Sequence, residues 1–206
     1  MTSTKNKKDL RYERKFFSSD ADAAQILAYL KTHPSHCRSE YPDRFINNIY
    51  LDTPDLAMYR HGLDGTPHRV KVRLRWYGPI LGDSLSPTLE IKRKFGHVGD
   101  KLRRKMPTFS SLQALVSAAK TTRDILHGES ADFPLTDTIF SGLRPVLMNR
   151  YRRRYWVTAD RKARITVDTD VHYFPPLKGG RQLTTPVEEE KAIVVEVKYL
   201  PEHHDD

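Results

Sequence analysis

One stretch of strict alternation limits what this chain can fold into. From Arg69 to Trp76 the sequence reads RVKVRLRW, so every odd position is a cation and every even position is apolar. Successive side chains of a β-strand point to opposite faces, so a strand formed here has one cationic and one apolar face. The chain therefore needs a sheet with an apolar core on one side and a place for many positive charges on the other.

Charged residues keep a common phase in several other segments. They are Glu90, Lys92 and Lys94; Arg11, Glu13 and Lys15; Arg150, Arg152 and Arg154; Lys162 and Arg164; and Glu196 and Lys198. A single strand of this kind is most simply the solvent face of an antiparallel sheet. Because like charges on one face repel, many such strands would make an unfavourable surface. The repetition favours a closed sheet that concentrates positive charge inside for an anionic partner.

The remaining patterns give the fold class. Helix caps near Asp20, Thr53 and Ser110 predict two or three helices. The predicted strands, eight in all, are 10–17, 45–52, 68–77, 88–95, 101–106, 145–157, 161–171 and 192–200. Without regular βαβ alternation these elements predict an α+β protein with a largely antiparallel sheet. Eight strands suffice to close an antiparallel β-barrel with a few flanking helices.

Length and composition limit the number of domains and the classes of partner that the chain can have. The 206 residues suit one domain, which we place at 10–200, with a disordered segment at 1–9 and a polar tail at 201–206. The formal charge of +9 predicts an anionic partner, such as a nucleic acid, an acidic membrane or a phosphorylated small molecule. The single cysteine excludes an internal disulfide, and the sequence lacks a long apolar run or a signal peptide. We therefore expect a cytoplasmic protein.

Acids that share a phase with the cations leave two interpretations open. Glu13, Glu90 and Glu196 could pair with neighbouring Lys and Arg side chains, or they could hold a hard divalent cation. The Arg guanidinium group matches phosphate oxygens in a bidentate way, and Lys adds compact positive charge. Two or three carboxylates among several cations fit a metal–triphosphate site better than a nucleic-acid groove.

An ordered set of motifs resembles one family over nearly the whole chain. The opening segment is similar to the ExExK motif of the CYTH members of the triphosphate tunnel enzymes. More specifically, seven segments between about residues 10 and 200 resemble, in order, the catalytic domain of the vacuolar transporter chaperone (VTC) family: RYERKF, NNIYLDTPDLAMYR, KVRLRWYG, LEIKRK, LMNRYRRRYW, RITVDTDV and VVEVKY. That domain is a polyphosphate polymerase, and the resemblance implies an eight-stranded antiparallel tunnel.

The resemblance also assigns site residues by position. Glu196 matches the metal-binding glutamate, and Glu13 matches the second glutamate of ExExK, whereas Arg11 stands where a CYTH hydrolase has the first. That replacement argues against a triphosphatase with a second metal. Tunnel cations that would bind the nucleotide triphosphate and the growing chain are Lys15, Arg73, Arg75, Lys92, Arg150, Arg164 and Lys198. Pattern alone adds Glu90 as a metal ligand and Lys71, Lys94, Arg152 and Arg11 as substrate-binding cations.

The implied reaction transfers the γ-phosphoryl group of ATP to the end of inorganic polyphosphate, assisted by Mn²⁺ or Mg²⁺. A triphosphatase of the same fold and a non-catalytic sensor of polyphosphate or inositol phosphates are the alternatives, and pyrophosphate or tripolyphosphate are further ligands. A nucleic-acid-binding barrel is disfavoured because most aromatic residues lie out of phase with the cations. A membrane protein that exports the polymer is an expected partner.

The resemblance also implies a further helix and a Ser-Lys motif beyond the last strand. This sequence ends at Asp206, six residues after Leu200, so we expect either a truncated sequence or a shortened family member.

Overall fold

Strands dominate the chain, as the alternating patterns predict. The computed structural model describes residues 11–19, 22–96, 98–120, 142–174 and 188–204. The strands are β1 Tyr12–Ser18, β2 Arg38–Asp52, β3 His68–Tyr77, β4 Thr88–Phe95, β5 Val98–Lys105, β6 Arg144–Val157, β7 Ala163–Phe174, β8 Glu188–Glu190 and β9 Ile193–Tyr199. The sheet order is β1-β9-β7-β6-β2-β3-β4-β5, and the short β8 pairs with β7. The predicted eight-stranded antiparallel sheet is confirmed, with β8 as an addition.

Within the described residues three α-helices accompany the sheet, namely α1 Ala23–Thr32, α2 Ala57–Leu63 and α3 Leu112–Lys120, and a short 3₁₀ helix spans Pro201–His203. None of the helices in the described ranges is long and apolar enough to cross a membrane. The predicted continuation of the third helix to Gly128 and the predicted disordered segment 1–9 lie outside the described residues.

Helix starts differ from the sequence prediction by a few residues. Helix α1 is capped by Asp22, whose carboxylate accepts the Ala24 N–H at 3.1 Å, rather than by Asp20. Helix α2 begins at Ala57, four residues after Thr53, and the Thr53 hydroxyl accepts the Ala57 N–H at 2.9 Å. The buried Asp52 carboxylate also accepts the N–H groups of Met58 and Tyr59, both at 2.9 Å, so Thr53 and Asp52 share the cap.

The long strand β2 is the largest departure from the prediction. It begins at Arg38, seven residues before the predicted start at Phe45. Residues 38–44 are mostly exposed and include Pro42, so they show neither apolar alternation nor the usual strand composition. Pairing with neighbouring strands makes this segment extended where its own sequence gives little signal.

The described residues form two compact units. The first unit contains the described residues up to 44, from 151 to 171, and from 190 onwards; the second contains those from 45 to 150 and from 172 to 189. Val72, Leu74 and Trp76 of β3 are buried in the core of the second unit, together with Leu115 of α3. In the first unit, Leu30 of α1 packs with a smaller core on the sheet. The apolar phase of RVKVRLRW therefore faces a core, as predicted.

Candidate functional site

The second unit carries a continuous cationic face on β3, β4 and β5. Antiparallel register places Lys71 opposite Lys92 and Lys92 opposite Lys101, and it places Arg73 opposite Glu90. Since opposed residues point to the same side of a sheet, the cations in this phase share one face. This cationic face comprises Arg69, Lys71, Arg73, Arg75, Lys92, Lys94, Lys101, Arg103 and Lys105.

Glu90 is the single acid in this phase on β3, β4 and β5, and it lies among four cations. Its Oε2 is 2.6 Å from Arg73 Nη2 and 3.7 Å from Arg75 Nη1. Its Oε1 is 2.8 Å from Lys101 Nζ and 3.3 Å from Arg103 Nε. Both carboxylate oxygens are therefore occupied. Glu90 therefore forms the ion pairs that one of the two interpretations expects, and its assignment as a metal ligand stays a prediction.

Burial and mutual charge shift the pKa values in this cluster. Burial tends to raise the pKa of Glu90, but the hydrogen bond from Lys101 and the charges of Arg73 and Arg75 outweigh it and lower that pKa to about 2. Burial also lowers the pKa of Lys101 to about 8, because Glu90 compensates for the lost hydration only in part. Lys101 therefore loses its charge within a pH range that experiments can reach.

Polar side chains of β2 and β6 hold the buried arginine of the cationic face in place. Arg75 is 8% exposed, and its Nε donates to Asn48 Oδ1 at 2.9 Å. Asn48 Nδ2 in turn donates to Asn149 Oδ1, also at 2.9 Å. These amides are neutral, so they fix the position of the guanidinium group without adding a counter-charge.

The first unit carries a different charged face, on β1, β9 and β7. Register places Glu13 opposite Lys198, which is opposite Arg164, and places Lys15 opposite Glu196, which is opposite Thr166. In the next row, Asp168 lies opposite Val194. We call this surface the Glu196 face, and it comprises Glu13, Lys15, Arg164, Thr166, Asp168, Glu196 and Lys198. It brings together five residues to which the resemblance assigns roles.

Two lysines bridge the two glutamates of the Glu196 face. Lys15 Nζ is 3.4 Å from Glu13 Oε1 and 3.6 Å from Glu196 Oε2. Lys198 Nζ is 3.6 Å from Glu13 Oε2 and also contacts Glu196 Oε1. Glu196 is buried at 5% exposure, and Oε1 accepts no hydrogen bond of normal geometry from the described residues. The buried Thr166 hydroxyl likewise has no hydrogen-bond partner among them.

Glu13 and Glu196 are carboxylates of the ligand type that a hard divalent ion prefers. Carboxylate oxygens are the ligands that Mg²⁺ and Mn²⁺ prefer, and Mg²⁺ typically combines one or two carboxylates with phosphate oxygens. Glu13 and Glu196 supply two carboxylates, and Glu196 Oε1 is not saturated by hydrogen bonds. Among the described residues, no group of three or more His, Cys, Asp or Glu side chains could hold a metal.

Arg153, which the sequence analysis did not select, lies beside Glu196. It forms a bidentate pair with Asp168, with Nε–Oδ1 and Nη2–Oδ2 distances of 2.6 Å. Burial opposes the charge of Arg153, but the hydrogen bonds and charge of Asp168 and the charge of Glu196 outweigh it and raise the pKa of the guanidinium group. Arg153 is therefore a fixed cation next to the Glu196 face.

The structure places the predicted site residues Arg150 and Arg152 elsewhere. Arg152 Nη2 pairs with Asp43 at 2.9 Å, and alternation along β6 puts Arg152 on the face opposite Arg153. In the second unit, the Arg150 guanidinium carbon lies 4.0 Å from the Phe45 ring centroid, and burial lowers the pKa of Arg150. Arg150 shares its phase with the core residue Met148, whereas Asn149 joins the Arg75 network. Their assignment to the tunnel phase is therefore wrong.

The other predicted cations divide between the two faces. Lys71, Arg73, Arg75, Lys92 and Lys94 lie on the cationic face, and Lys15, Arg164 and Lys198 lie on the Glu196 face. Arg11 is exposed and precedes β1. The prediction missed Lys101, Arg103 and Lys105, although KLRRK has cations at alternate positions.

Comparisons with known proteins identify the family and the fold of the chain. The VTC domain family matches residues 10–205. A candidate adenylyl cyclase from Hippeastrum, reported to have a dominant triphosphatase activity, is similar in structure with a TM-score of 0.52 and 10% identity, over 95% of this chain and 82% of that chain. A candidate adenylate cyclase from Bacillus halodurans gives a TM-score of 0.50 and 15% identity, over 93% of this chain and 81% of that chain.

At these identities the two structures show a common fold. A search of curated proteins gave no match. The family match covers nearly the whole sequence, including every strand of the two charged faces. The chain belongs to the VTC domain family.

Proposed function

We propose that this domain transfers the γ-phosphoryl group of ATP to the end of an inorganic polyphosphate chain. VTC family membership and the tunnel-protein fold support phosphoryl chemistry on triphosphate-type substrates. The observation that carries the proposal is the cationic face, where the cations of three strands surround one acid, Glu90. Such a charge excess is unfavourable without an anion, and a linear phosphate chain neutralises it along its length.

Alignment and charge neutralisation would do most of the catalytic work. Phosphoryl transfer needs no covalent protein nucleophile, and positioned cations stabilise the charge on the transferring phosphate oxygens. Arg73 and Arg75 are already oriented by Glu90 and Asn48, so they lose little conformational freedom when they bind phosphate. Lys92 and Lys94 extend the positive surface along β4.

The Glu196 face would hold the divalent ion. Glu13 and Glu196 are its proposed ligands, and Mn²⁺ or Mg²⁺ bound there would neutralise phosphate charge and polarise a phosphoryl oxygen. Lys15 and Lys198, which now contact both carboxylates, would turn towards phosphate oxygens when the ion takes their place. Arg153 keeps its charge next to this face because Asp168 holds it.

The test is incorporation of labelled γ-phosphate from ATP into a polymer, with Mn²⁺ or Mg²⁺ and a short polyphosphate primer. We expect label in long chains that an exopolyphosphatase degrades. If the products are ADP and orthophosphate alone, the domain is a triphosphatase instead. The reported activity of the Hippeastrum protein with this fold motivates that second candidate. Tight binding of tripolyphosphate without turnover at any divalent ion would identify a sensor.

Lys101 gives the phosphate site a pH dependence. Its pKa of about 8 means that its positive charge is lost as the pH rises through 8. We therefore expect the affinity for tripolyphosphate to fall by about threefold to tenfold between pH 7 and pH 9, as one charge-assisted contact weakens. Isothermal titration at fixed ionic strength measures this change.

The matched control for this prediction is Lys101→Arg. Arginine stays charged throughout the range, so the variant should keep its affinity up to pH 9. A fall of equal size in both proteins would place the pH dependence elsewhere.

The two neighbouring arginines of β6 provide a second test. We expect Arg153→Gln to lower the transfer rate by about 10²-fold, because a fixed positive charge beside the Glu196 face is removed. Arg152→Gln, on the opposite face of the same strand, should stay within about twofold of the wild-type rate. The measurement is kcat with saturating ATP, together with the melting temperature. Equal losses in the two variants would contradict the phase assignment.

A further inference from the structure

A groove lies on the side of the first unit that faces away from the Glu196 face. Its cavity volume is about 570 Å³, and its walls come from the sheet residues Phe16, Val195 and Val197 and from Ile26 and Tyr29 of α1. Register places these sheet residues in the phase opposite to Lys15 and Glu196. The groove therefore shares no side chain with the proposed phosphoryl-transfer site.

The apolar character of the groove follows from the short helix above it. Helix α1 has ten residues and buries Leu30 against Ile165, but it leaves much of β1 uncovered. Phe16 is 54% exposed and Tyr29 is 62% exposed, although both are large apolar side chains. Apolar clefts and cavities of roughly 300 to 1,000 Å³ are typical sites for small ligands.

A polar compartment continues the groove at one end. It has a cavity volume of about 310 Å³ and shares Phe16 and Val197 with the groove. Arg14 and Lys162 line this compartment with His203 and His204. The acid that also lines it, Asp160, accepts hydrogen bonds from the Thr158 hydroxyl and the Lys162 N–H, and these bonds lower its pKa. Two cations and one acid leave this end positive.

We propose that the two compartments form a binding site for a single-chain anionic amphiphile. Its alkyl chain would lie in the groove against Phe16, Val197 and Ile26, where removal of apolar surface from water favours binding. Its phosphate or carboxylate headgroup would contact Arg14 and Lys162. The continuity of an apolar groove with a compartment of net positive charge selects this ligand class, because an alkyl chain matches the groove and an anionic headgroup matches the compartment.

Cys37 lines the groove and provides a site-specific reporter. It is the single cysteine of the sequence and is buried. Burial, and secondarily the charge of Asp160, raises the pKa of its thiol, so labelling requires mildly alkaline pH and an apolar reagent such as N-phenylmaleimide. Intact-mass spectrometry then measures how fast the thiol is modified with and without ligand.

The experiment compares dodecyl phosphate with dodecyl maltoside, which has the same chain and a neutral headgroup, both below their micelle concentrations. We expect saturable protection of Cys37 by one molecule of dodecyl phosphate and weaker protection by the maltoside. The double variant Arg14→Gln and Lys162→Gln should bind dodecyl phosphate about tenfold more weakly and bind dodecyl maltoside with unchanged affinity. Both positions are exposed, so the variant should melt at the wild-type temperature.

Several results would overturn the proposal. One is the absence of protection by either amphiphile, and another is equal protection by both. If the double variant bound dodecyl phosphate as tightly as the wild type, the proposed contact of the headgroup with Arg14 and Lys162 would be wrong. Protection by inorganic phosphate alone would indicate a phosphate site without a chain site. Binding to anionic vesicles without protection by the monomeric amphiphile would make this face a membrane contact.

Discussion

Replacement of Glu90 by glutamine should lower the free energy of unfolding by about 3 kcal/mol. It should also make the stability of the protein depend more strongly on a bound polyanion. Glu90 is 5% exposed and pairs with Arg73, Arg75, Lys101 and Arg103, so Glu90→Gln removes the negative charge that these four mutually repelling cations share. Glutamine keeps the side-chain volume, which limits the effect to charge. Thermal unfolding at pH 7 should show a melting temperature lower by roughly 10 °C.

The same carboxylate gives the stability a defined pH dependence. The pKa of Glu90 is about 2 in the folded protein, whereas an unfolded glutamate titrates near 4.5. Its ionised form is therefore favoured by folding, and its contribution is complete above pH 4.5 and is lost as the pH falls from 4.5 towards 2. Other carboxylates become protonated in this range too, so the quantity to follow is the difference in stability between wild type and Glu90→Gln. That difference should shrink below pH 4.5.

Two comparisons make the Glu90 prediction specific. Glu202→Gln, an equivalent change at an exposed position of the C-terminal 3₁₀ turn, should alter stability by less than about 0.5 kcal/mol. Tripolyphosphate should raise the melting temperature of Glu90→Gln more than that of the wild type, because it restores the missing negative charge. A variant as stable as wild type would show that the cationic face needs no internal counter-charge.

The sequence predicts strands well where charged side chains occupy one set of alternate positions and apolar side chains occupy the other. The bounds of β3 and β4 match the prediction at every residue, because RVKVRLRW and LEIKRK separate charged from apolar side chains. The apolar faces of α1 and α3 are similarly clear, and Leu30 and Leu115 are buried as expected. In these elements the hydrophobic period determines both the structure and the direction of the side chains.

Some features of the site could not be predicted from the sequence, because they depend on strand register and on ion pairs between residues that are distant along the chain. Pattern along β4 identifies Glu90, but the register of β5 decides that Lys101 and Arg103 neutralise it. In RYRRRYW, cations occupy both phases of β6, so local alternation cannot separate Arg152 from Arg153. The separation comes from Asp43 and Asp168, which lie 109 and 15 residues away along the chain from these arginines.

Replacement of Glu196 by glutamine should abolish metal-dependent phosphoryl transfer, with a rate loss of about 10²-fold or more. Glu196 is 5% exposed and is one of the two proposed metal ligands, and a neutral amide binds Mn²⁺ or Mg²⁺ far more weakly than a carboxylate does. Tripolyphosphate binding without metal should be retained or improved, because the change removes a negative charge beside Lys15 and Lys198. Rates measured as a function of Mn²⁺ concentration, with titrations of tripolyphosphate, separate these two effects.

The paired variant Glu13→Gln distinguishes a shared ion from a single essential carboxylate. If both residues bind the metal, each variant should need more Mn²⁺ for half-maximal rate, with the larger shift at Glu196 because it is the more buried of the two. If Glu196 acts only as a counter-ion for Lys15 and Lys198, Glu196→Gln should lower stability and leave the Mn²⁺ requirement unchanged. Because a counter-ion and a metal ligand predict different metal titrations, the Mn²⁺ dependence of these two variants identifies which chemistry the buried carboxylate performs.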